Sequence, residues 1–157
     1  MNLFILSLLP VECAEWMMDK HVHKILLEAV QMLCTAARLC EDTNPCLYRI
    51  AHKNHPVSIW CRASRSNFIW TLDLIDALHE EWRYRQGHMK VHKSYIVAQY
   101  LREHVPDIPE LGLTPFALAM PDQYKTADPV ESYRAYYKGE KKRMASWKKR
   151  NPPEWFI

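Results

Sequence analysis

The sequence is poor in glycine: only 3 of its 157 residues are glycine, and they lie far apart. Phosphate-cradling loops and dinucleotide-binding turns both need several glycines within a few residues, because the backbone must approach the phosphates closely. The chain therefore contains neither a P-loop nor a Rossmann fingerprint. This excludes kinases and dehydrogenases that depend on those loops.

Paired cysteines and long apolar runs are also missing. The five cysteines are odd in number, irregularly spaced and contain no Cys-x-x-Cys pair, which favours reduced thiols over a disulfide framework. The apolar opening, residues 1–9, is too short to span a bilayer and has no basic flank or cleavage site. We therefore expect a cytoplasmic protein with no membrane partner.

Overall charge is modest, at +3, but it is unevenly distributed. Residues 124–157 hold nine Lys or Arg residues against four Asp or Glu residues. Aromatic rings alternate with cations twice in this part, at 133–143 and again at 147–156. Rings for base stacking beside cations for phosphates are typical of nucleic-acid binders.

Hydrophobic spacing predicts a mostly α protein. We expect helices over residues 10–18, 20–39 (capped by Asp19), 57–85, 91–103 and 130–147, and an irregular proline-rich loop over 106–129. Residues 2–6 form a short N-terminal strand or extended segment. The predicted fold is a compact helical bundle, a single globular domain over 1–157 with a basic-aromatic tail at 147–157.

The second predicted helix carries the first candidate site. His21, Lys24 and Glu28 recur at helical spacing, so an imidazole, an ammonium and a carboxylate can face one cleft, with Asp19 just before them. A carboxylate beside cations stays ionised and can accept a proton or stabilise a positive charge. The alternative is a solvent-facing stripe with an i,i+4 salt bridge.

A second candidate lies at the junction before the third helix. His52, Asn54 and His55 are followed by Arg62, Arg65 and Asn67, and such side chains at a helix start suit a phosphate or a base edge. They would equally serve to tie down a loop that ends in proline. The His52/His55 and His88/His92 spacings suit zinc, but no carboxylate or thiolate partner accompanies them, so we expect no metal and no cofactor.

Two further segments offer binding residues. Prolines stiffen the 114–124 loop, and Asp122 and Gln123 follow its apolar part as candidate substrate-binding residues. In the tail, Lys148, Lys149, Arg150 and Trp155 are candidate nucleic-acid-binding residues. The alternative for the tail is that it folds back onto the core.

Several motifs together resemble a family of small proteins encoded by bacteriophages and other DNA viruses. They are the opening Met-Asn-Leu-Phe-Ile-Leu, Asp-Lys-His-Val-x-Lys-x-x-x-Glu at 19–28, Lys-Asn-His-Pro at 53–56, Thr-Pro-Phe-x-x-Ala-Met-Pro at 114–121 and Pro-x-Trp-Phe at 153–156. The spacing of Asp19, His21 and Glu28 and the Arg150–Phe156 tail are also distantly similar to the pyrimidine-dimer glycosylase/AP-lyase of T-even bacteriophage. If the protein is viral, its place would be the host cytoplasm.

That distant resemblance implies a mechanism. Its family attacks the sugar carbon of the target nucleotide with the N-terminal amine and forms a Schiff base. An α-amino group is less basic than a lysine side chain, so part of it is uncharged at neutral pH. Because Asn2 follows, we expect Met1 to be retained and to supply this amine. Glu28 would match the catalytic carboxylate, with His21 beside it.

Three functions remain open from the sequence. The first is a glycosylase-like enzyme that acts on a pyrimidine nucleotide in DNA, most simply double-stranded DNA. The second is a transferase that places an amino acid or amine on an activated, modified thymine of viral DNA. The third is a non-enzymatic protein that binds nucleic acid or a host protein.

Overall fold

A computed structural model describes all residues, 1–157. It contains six α-helices and no β-strand, which confirms the prediction of a mostly α fold. The helices are α1 (Pro10–Trp16), α2 (Asp19–Leu39), α3 (Pro56–Ala63), α4 (Arg65–Gln86), α5 (Lys93–Glu103) and α6 (Pro129–Glu140), with short 3-10 turns at Asp122–Tyr124, Lys142–Met144 and Glu154–Phe156. None of these helices has both the length and the apolar composition needed to cross a bilayer.

The ends of the helices follow from local sequence. Pro10, Pro56 and Pro129 each begin a helix, where the missing N–H costs nothing. Asp128 caps α6 by accepting hydrogen bonds from two backbone N–H groups. Gly87 ends α4 with φ of 68°, the left-handed conformation that a residue without Cβ adopts readily.

Helix α2 lies at the centre of the fold and packs against α3, α4 and α5. Its predicted apolar face is buried in a cluster of 36 apolar residues to which all six helices contribute. Helix α6 adds two fully buried tyrosines, Tyr133 and Tyr137, to this cluster. The polar face of α2 is thereby left for the N-terminal segment and the surface.

The predicted long helix over 57–85 is wrong, because the chain breaks at Ser64. This residue has an extended backbone, with φ of −151° and ψ of 147°. Its hydroxyl donates to the Gly112 carbonyl at 2.7 Å and accepts from the Leu111 N–H at 3.0 Å. Bonds to the distant 110–112 loop thus replace the helical bonds at this point.

Two other predicted boundaries need correction. Asp19 does not cap α2, whose N-cap is Met18, because its carboxylate accepts hydrogen bonds from Ser146 and from the Lys148 N–H instead. Helix α6 ends at Glu140, not at residue 147. The segment that follows leaves the helix and crosses to α2 and α4.

The N-terminal segment is buried but pairs with no strand, so the extended alternative is correct. Asn2 to Leu6 are all buried, and Phe4 has a left-handed φ of 52°. Such a conformation is strained for a residue with a side chain and persists only where its surroundings hold it. Phe4 is held by the rings of His21, Tyr133, Tyr136 and Tyr137, which lie 4.2–6.2 Å from it.

Candidate active site

The N-terminal segment, the polar face of α2 and the start of α3 enclose a cavity of about 330 Å³. Its polar lining combines both signs of charge, and its walls are apolar and aromatic. The lining residues are Met1, Asn2, Phe4, Lys24, Glu28, His55, Pro56, Leu118, Ala119, Met120 and Tyr136. We refer to it below as the N-terminal cavity.

Glu28 is half-buried in this cavity and touches the start of the chain. Its Oε2 accepts a hydrogen bond from the Asn2 N–H at 3.1 Å. The Met1 amine lies one residue away and forms no salt bridge with any carboxylate. An amine and a carboxylate therefore share one concavity without neutralising each other.

Asn2, the residue next to that amine, is held in place by its side chain. Its Oδ1 accepts from the N–H groups of Leu3 and Phe4, at 2.8 and 3.1 Å, and its Nδ2 donates to the Ala119 carbonyl at 2.8 Å. Chain ends are usually poorly ordered unless they are tied down. The Asn2 side chain ties this end to its own turn and to the 118–120 loop.

His55 lies on the far side of the same cavity. Its Nδ1 accepts from the Val57 N–H at 3.1 Å and so caps α3. Burial lowers the pKa of His55, and repulsion from the N-terminal ammonium and His52 lowers it further, while Glu28 opposes the shift. The imidazole is thus a neutral group close to both the amine and the carboxylate.

Lys24 contributes an unpaired ammonium at the mouth. It is exposed, lines the cavity, and forms no salt bridge with Glu28 four residues later. The alternative of a solvent-facing stripe with an i,i+4 salt bridge is thus met in part, because Lys24 faces solvent but the salt bridge does not form.

His21 does not reach the cavity, contrary to the prediction that it faces a common cleft with Glu28. It is only 4 % exposed, stacks under Phe4 at 4.2 Å and hydrogen bonds to the Tyr137 hydroxyl at 2.5 Å. Burial is the main cause that lowers the pKa of His21 to about 3, followed by the charges of Lys141 and Lys24. The neutral imidazole lies beneath Phe4 and supports that ring from below.

The cluster predicted at the start of the third helix separates in the structure, and only His55 joins the cavity. Asn67 is fully buried, and its amide holds the Thr114 backbone and the Trp60 carbonyl. Arg62 donates to the Lys53 carbonyl at 2.6 Å, so it ties down the preceding loop. The others, His52, Asn54 and Arg65, are exposed and lie outside the cavity.

Asp122 and Gln123 are exposed on a 3-10 turn, and Asp122 pairs with Lys125 at 2.9 Å. The apolar part of their loop lies at the cavity instead, as Leu118, Ala119 and Met120. Sequence reasoning missed these residues as lining, together with Asn2 and Tyr136. A single clue to Asn2 was available, since an Asn side chain readily bonds the backbone two residues on.

The tail folds back onto the core, which was the alternative to a nucleic-acid-binding tail. Arg150 binds Glu81 at 2.8 Å and Glu15 at 3.4 Å, and Lys149 donates to the Tyr84 carbonyl. Trp155 is half-buried with its ring edge-on to Trp16. Only Lys148, among the four predicted contacts, keeps an exposed side chain without a partner in the chain.

Asp19 belongs to this tail anchor and not to the cavity. Its carboxylate binds Arg85 at 3.0 Å as well as the tail backbone at Lys148. Burial alone would raise the pKa of Asp19, but hydrogen bonds from the Lys148 N–H, Ser146 and Arg85 lower it. The predicted substrate-binding role of Asp19 is replaced by a structural one.

A larger cavity, of about 490 Å³, is mainly acidic, whereas the N-terminal cavity has charges of both signs. It lies along α4 beside the tail, and Glu15, Asp73, Asp76, Glu80 and Glu81 dominate its lining. An acidic wall of this kind repels phosphates. Nowhere does the structure gather three or more histidine, cysteine or carboxylate groups into a metal-binding arrangement.

The N-terminal cavity therefore brings four groups that can take part in catalysis or binding onto one surface: an amine, a carboxylate, an imidazole and an ammonium. Comparison of the chain with models of protein families, with curated protein sequences and with solved structures gives no match.

Proposed function

We propose that the protein is a glycosylase-like enzyme that acts on a pyrimidine nucleotide in DNA, with the Met1 amine as nucleophile and Glu28 as the catalytic carboxylate. One observation supports this most: Met1 and Glu28 line the same cavity, and the Glu28 carboxylate accepts a hydrogen bond at 3.1 Å from the N–H of Asn2, the residue next to the amine. Covalent catalysis requires a nucleophile and a proton acceptor in one site.

The proposed chemistry uses these groups in turn. The uncharged amine attacks C1′ of the sugar, an N–C1′ bond forms, and the bond from C1′ to the base breaks. The base leaves with the electron pair and takes up a proton, while the new ammonium loses a proton to Glu28. The C1′–O4′ bond of the sugar then breaks, O4′ takes up a proton, and an imine forms between Met1 and the sugar. Glu28 also stabilises the positive charge that develops at C1′.

Trapping of that imine tests the proposal. Duplexes with a damaged pyrimidine, a modified pyrimidine or an abasic site are incubated with the protein and sodium borohydride, and intact-mass measurement first verifies a free amine on Met1. We expect a covalent adduct that maps to Met1. Glu28→Gln should slow its formation by about 10²- to 10⁴-fold, whereas Glu131→Gln, at an exposed position on α6, should not.

The absence of any adduct with all three duplexes would overturn this chemistry. An N-terminal extension by one glycine provides an independent check, because it moves the amine away from the Asn2–Glu28 contact. The extended protein should bind DNA normally and form the adduct much more slowly.

A transferase is the second candidate, and the mixed charge of the cavity favours it. The Lys24 ammonium suits the carboxylate of an amino acid, and Glu28 suits its amine. In this reaction the amine of the amino acid would attack the activated 5-methyl carbon of a modified thymine, the activating group would leave with the electron pair, and the new ammonium would lose a proton to Glu28. Incubation of such DNA with each amino acid, followed by digestion and mass analysis of nucleosides, separates the two chemistries.

A purely binding function is tested by the same variant. Binding and biological effect that are both unchanged in Glu28→Gln would favour it over either enzyme.

A further inference from the structure

The stretch that follows Tyr137 carries cations that the fold leaves unpaired. Helix α6 ends within this stretch, at Glu140, and a 3-10 turn follows over Lys142–Met144. No carboxylate lies in salt-bridge range of these side chains, and only Lys141 is half-buried. We name this group the basic track: Lys138, Lys141, Lys142 and Arg143.

Three members of the basic track line a depression of about 320 Å³, together with Gly139 and Glu140. With Lys141 beside the depression, residues 138–143 hold four cations against one carboxylate and form a strongly positive surface. Such a surface attracts polyanions and binds them in proportion to the phosphates that it neutralises.

Lys141 connects the basic track to the N-terminal cavity. Its Nζ lies 5.0 Å from the centre of the Tyr136 ring and 5.8 Å from that of Phe4, and both rings line the cavity. Lys24 stands at the same cavity on α2. Lys24 and Lys141 therefore both bring positive charge to the N-terminal cavity, and Lys141 adjoins Lys142, which lines the depression.

Two tyrosines, Tyr136 and Tyr124, lie next to the N-terminal cavity and the depression: Tyr136 lines the cavity, and Tyr124 packs on Gly139, which lines the depression. The ring of Tyr124 lies 5.6 Å from that of Tyr136. It also packs so closely on Gly139 that a Cβ there would lie 2.6 Å from Cε1 of Tyr124. Half-buried rings flanked by ammonium groups are suited to stack bases while the cations hold phosphates.

We propose that the basic track binds the phosphate backbone of the DNA strand whose target nucleotide enters the N-terminal cavity, with the two tyrosines under the neighbouring bases. The inference rests on the proposed action on DNA, but it concerns a surface distinct from the reacting groups. It assigns DNA binding to residues 138–143 in place of the tail.

Salt-dependent binding tests this assignment. Fluorescence anisotropy with a labelled duplex and a labelled single strand, at several salt concentrations, gives the number of phosphates neutralised. The variant combines Lys138→Gln, Lys141→Gln, Lys142→Gln and Arg143→Gln. We expect the slope of log K against log salt to fall by about three to four on duplex DNA, with at least tenfold weaker binding at moderate salt.

The matched control combines Lys148→Gln and Lys149→Gln in the tail, and we expect its slope to change by less than one. A second variant, Lys142→Gln with Arg143→Gln, changes only exposed side chains and should lose about two units of slope. It keeps the test decisive if removal of the half-buried Lys141 weakens folding.

Two results would overturn the proposal: unchanged binding by both variants of the basic track, or an equal loss in the tail control. Failure of the wild-type protein to bind either probe would overturn it as well. Track-dependent binding without a borohydride adduct would support the surface while removing the glycosylase chemistry, so the two proposals fail separately.

Discussion

Two segments of this chain look alike in sequence and behave differently in the fold. Residues 133–143 and 147–156 both alternate aromatic rings with cations. Rings from both segments pack on the core. In the first segment Arg134 donates to the Leu6 carbonyl, but the four cations after it, Lys138, Lys141, Lys142 and Arg143, form no ion pair. In the second, Arg150 is bound by two carboxylates.

Partners far away in sequence cause this difference. The tail meets Glu81, which is only 4 % exposed, and Asp19, which takes the tail backbone at Lys148. Nothing equivalent faces Lys142 or Arg143. Composition therefore identifies segments that are able to bind nucleic acid, but the surrounding acids decide which of them stays available.

The largest expected effect comes from breaking the anchor of the tail. Arg85 is fully buried and bonds Glu81, Asp19 and the carbonyls of Glu15 and Met17. Removal of one partner leaves buried charge unpaired, so Arg85→Ala should lower the free energy of unfolding by about 3–5 kcal/mol. Chemical denaturation measures this.

The same variant should make the tail susceptible to trypsin at Lys148 and Lys149. Arg83→Ala is the control, because Arg83 pairs with an exposed Glu80 and should cost less than about 1 kcal/mol. Equal losses in both variants would show that the tail is not held by this buried network.

The second prediction, with a smaller effect, concerns acid. Lowering the pH should reduce the stability contributed by His21 beneath the N-terminal cavity before it affects that of Asp19 in the tail anchor. The folded protein holds His21 neutral, with its pKa lowered from 6.5 to about 3, so its stabilisation is complete above pH 6.5 and falls as the pH drops towards 3. The slope is about 1.4 kcal/mol per pH unit. The lowered pKa of Asp19 keeps its own contribution until the pH falls below 3.8.

Unfolding measured at pH 7, 6, 5 and 4.5 checks this order. The stability advantage of the wild-type protein over His21→Phe should shrink as the pH falls, whereas His23→Gln, on the exposed face, should follow the wild-type curve. A constant difference between wild type and His21→Phe would contradict the buried, neutral imidazole.

The smallest effect on stability is expected at Gly139. Alanine improves helix propensity by about 1 kcal/mol, but it displaces the Tyr124 ring, so the stability should change little. The affinity for DNA should fall by about fivefold, the equivalent of partial loss of one stacked base. Gly112→Ala has open space but a φ of 74°, so it should lower stability and leave binding unchanged.

Much of the helical architecture was predictable because it depends on local patterns. The spacing of apolar residues in α2 and the start of α1 at Pro10 were predictable from the sequence. The break at Ser64 was not, since it depends on a loop 46–48 residues away. The packing of the tail on the core was unpredictable for the same reason. It depends on the ion pair between Arg150 and Glu81, which lie 69 residues apart.

The candidate site was partly predictable for similar reasons. Lys24 and Glu28 line one cavity with the start of the chain, and helical spacing predicts that these two side chains share a face of α2. His21 was misplaced because spacing alone does not reveal which side of the N-terminal segment a helix face meets. Phe4 lies between His21 and the cavity, in a left-handed conformation that no propensity predicts for phenylalanine.

The first residues of the chain are joined to some of the last. Arg134 donates to the Leu6 carbonyl across 128 residues, and Asn2 holds Ala119 across 117. Loop closure over such separations is slow, so we expect these contacts to form late in folding. During synthesis the amine of the first residue stays uncovered until α6 has been made. The N-terminal cavity, whose lining includes Tyr136, is therefore complete only after α6 has been made and has packed onto the first residues.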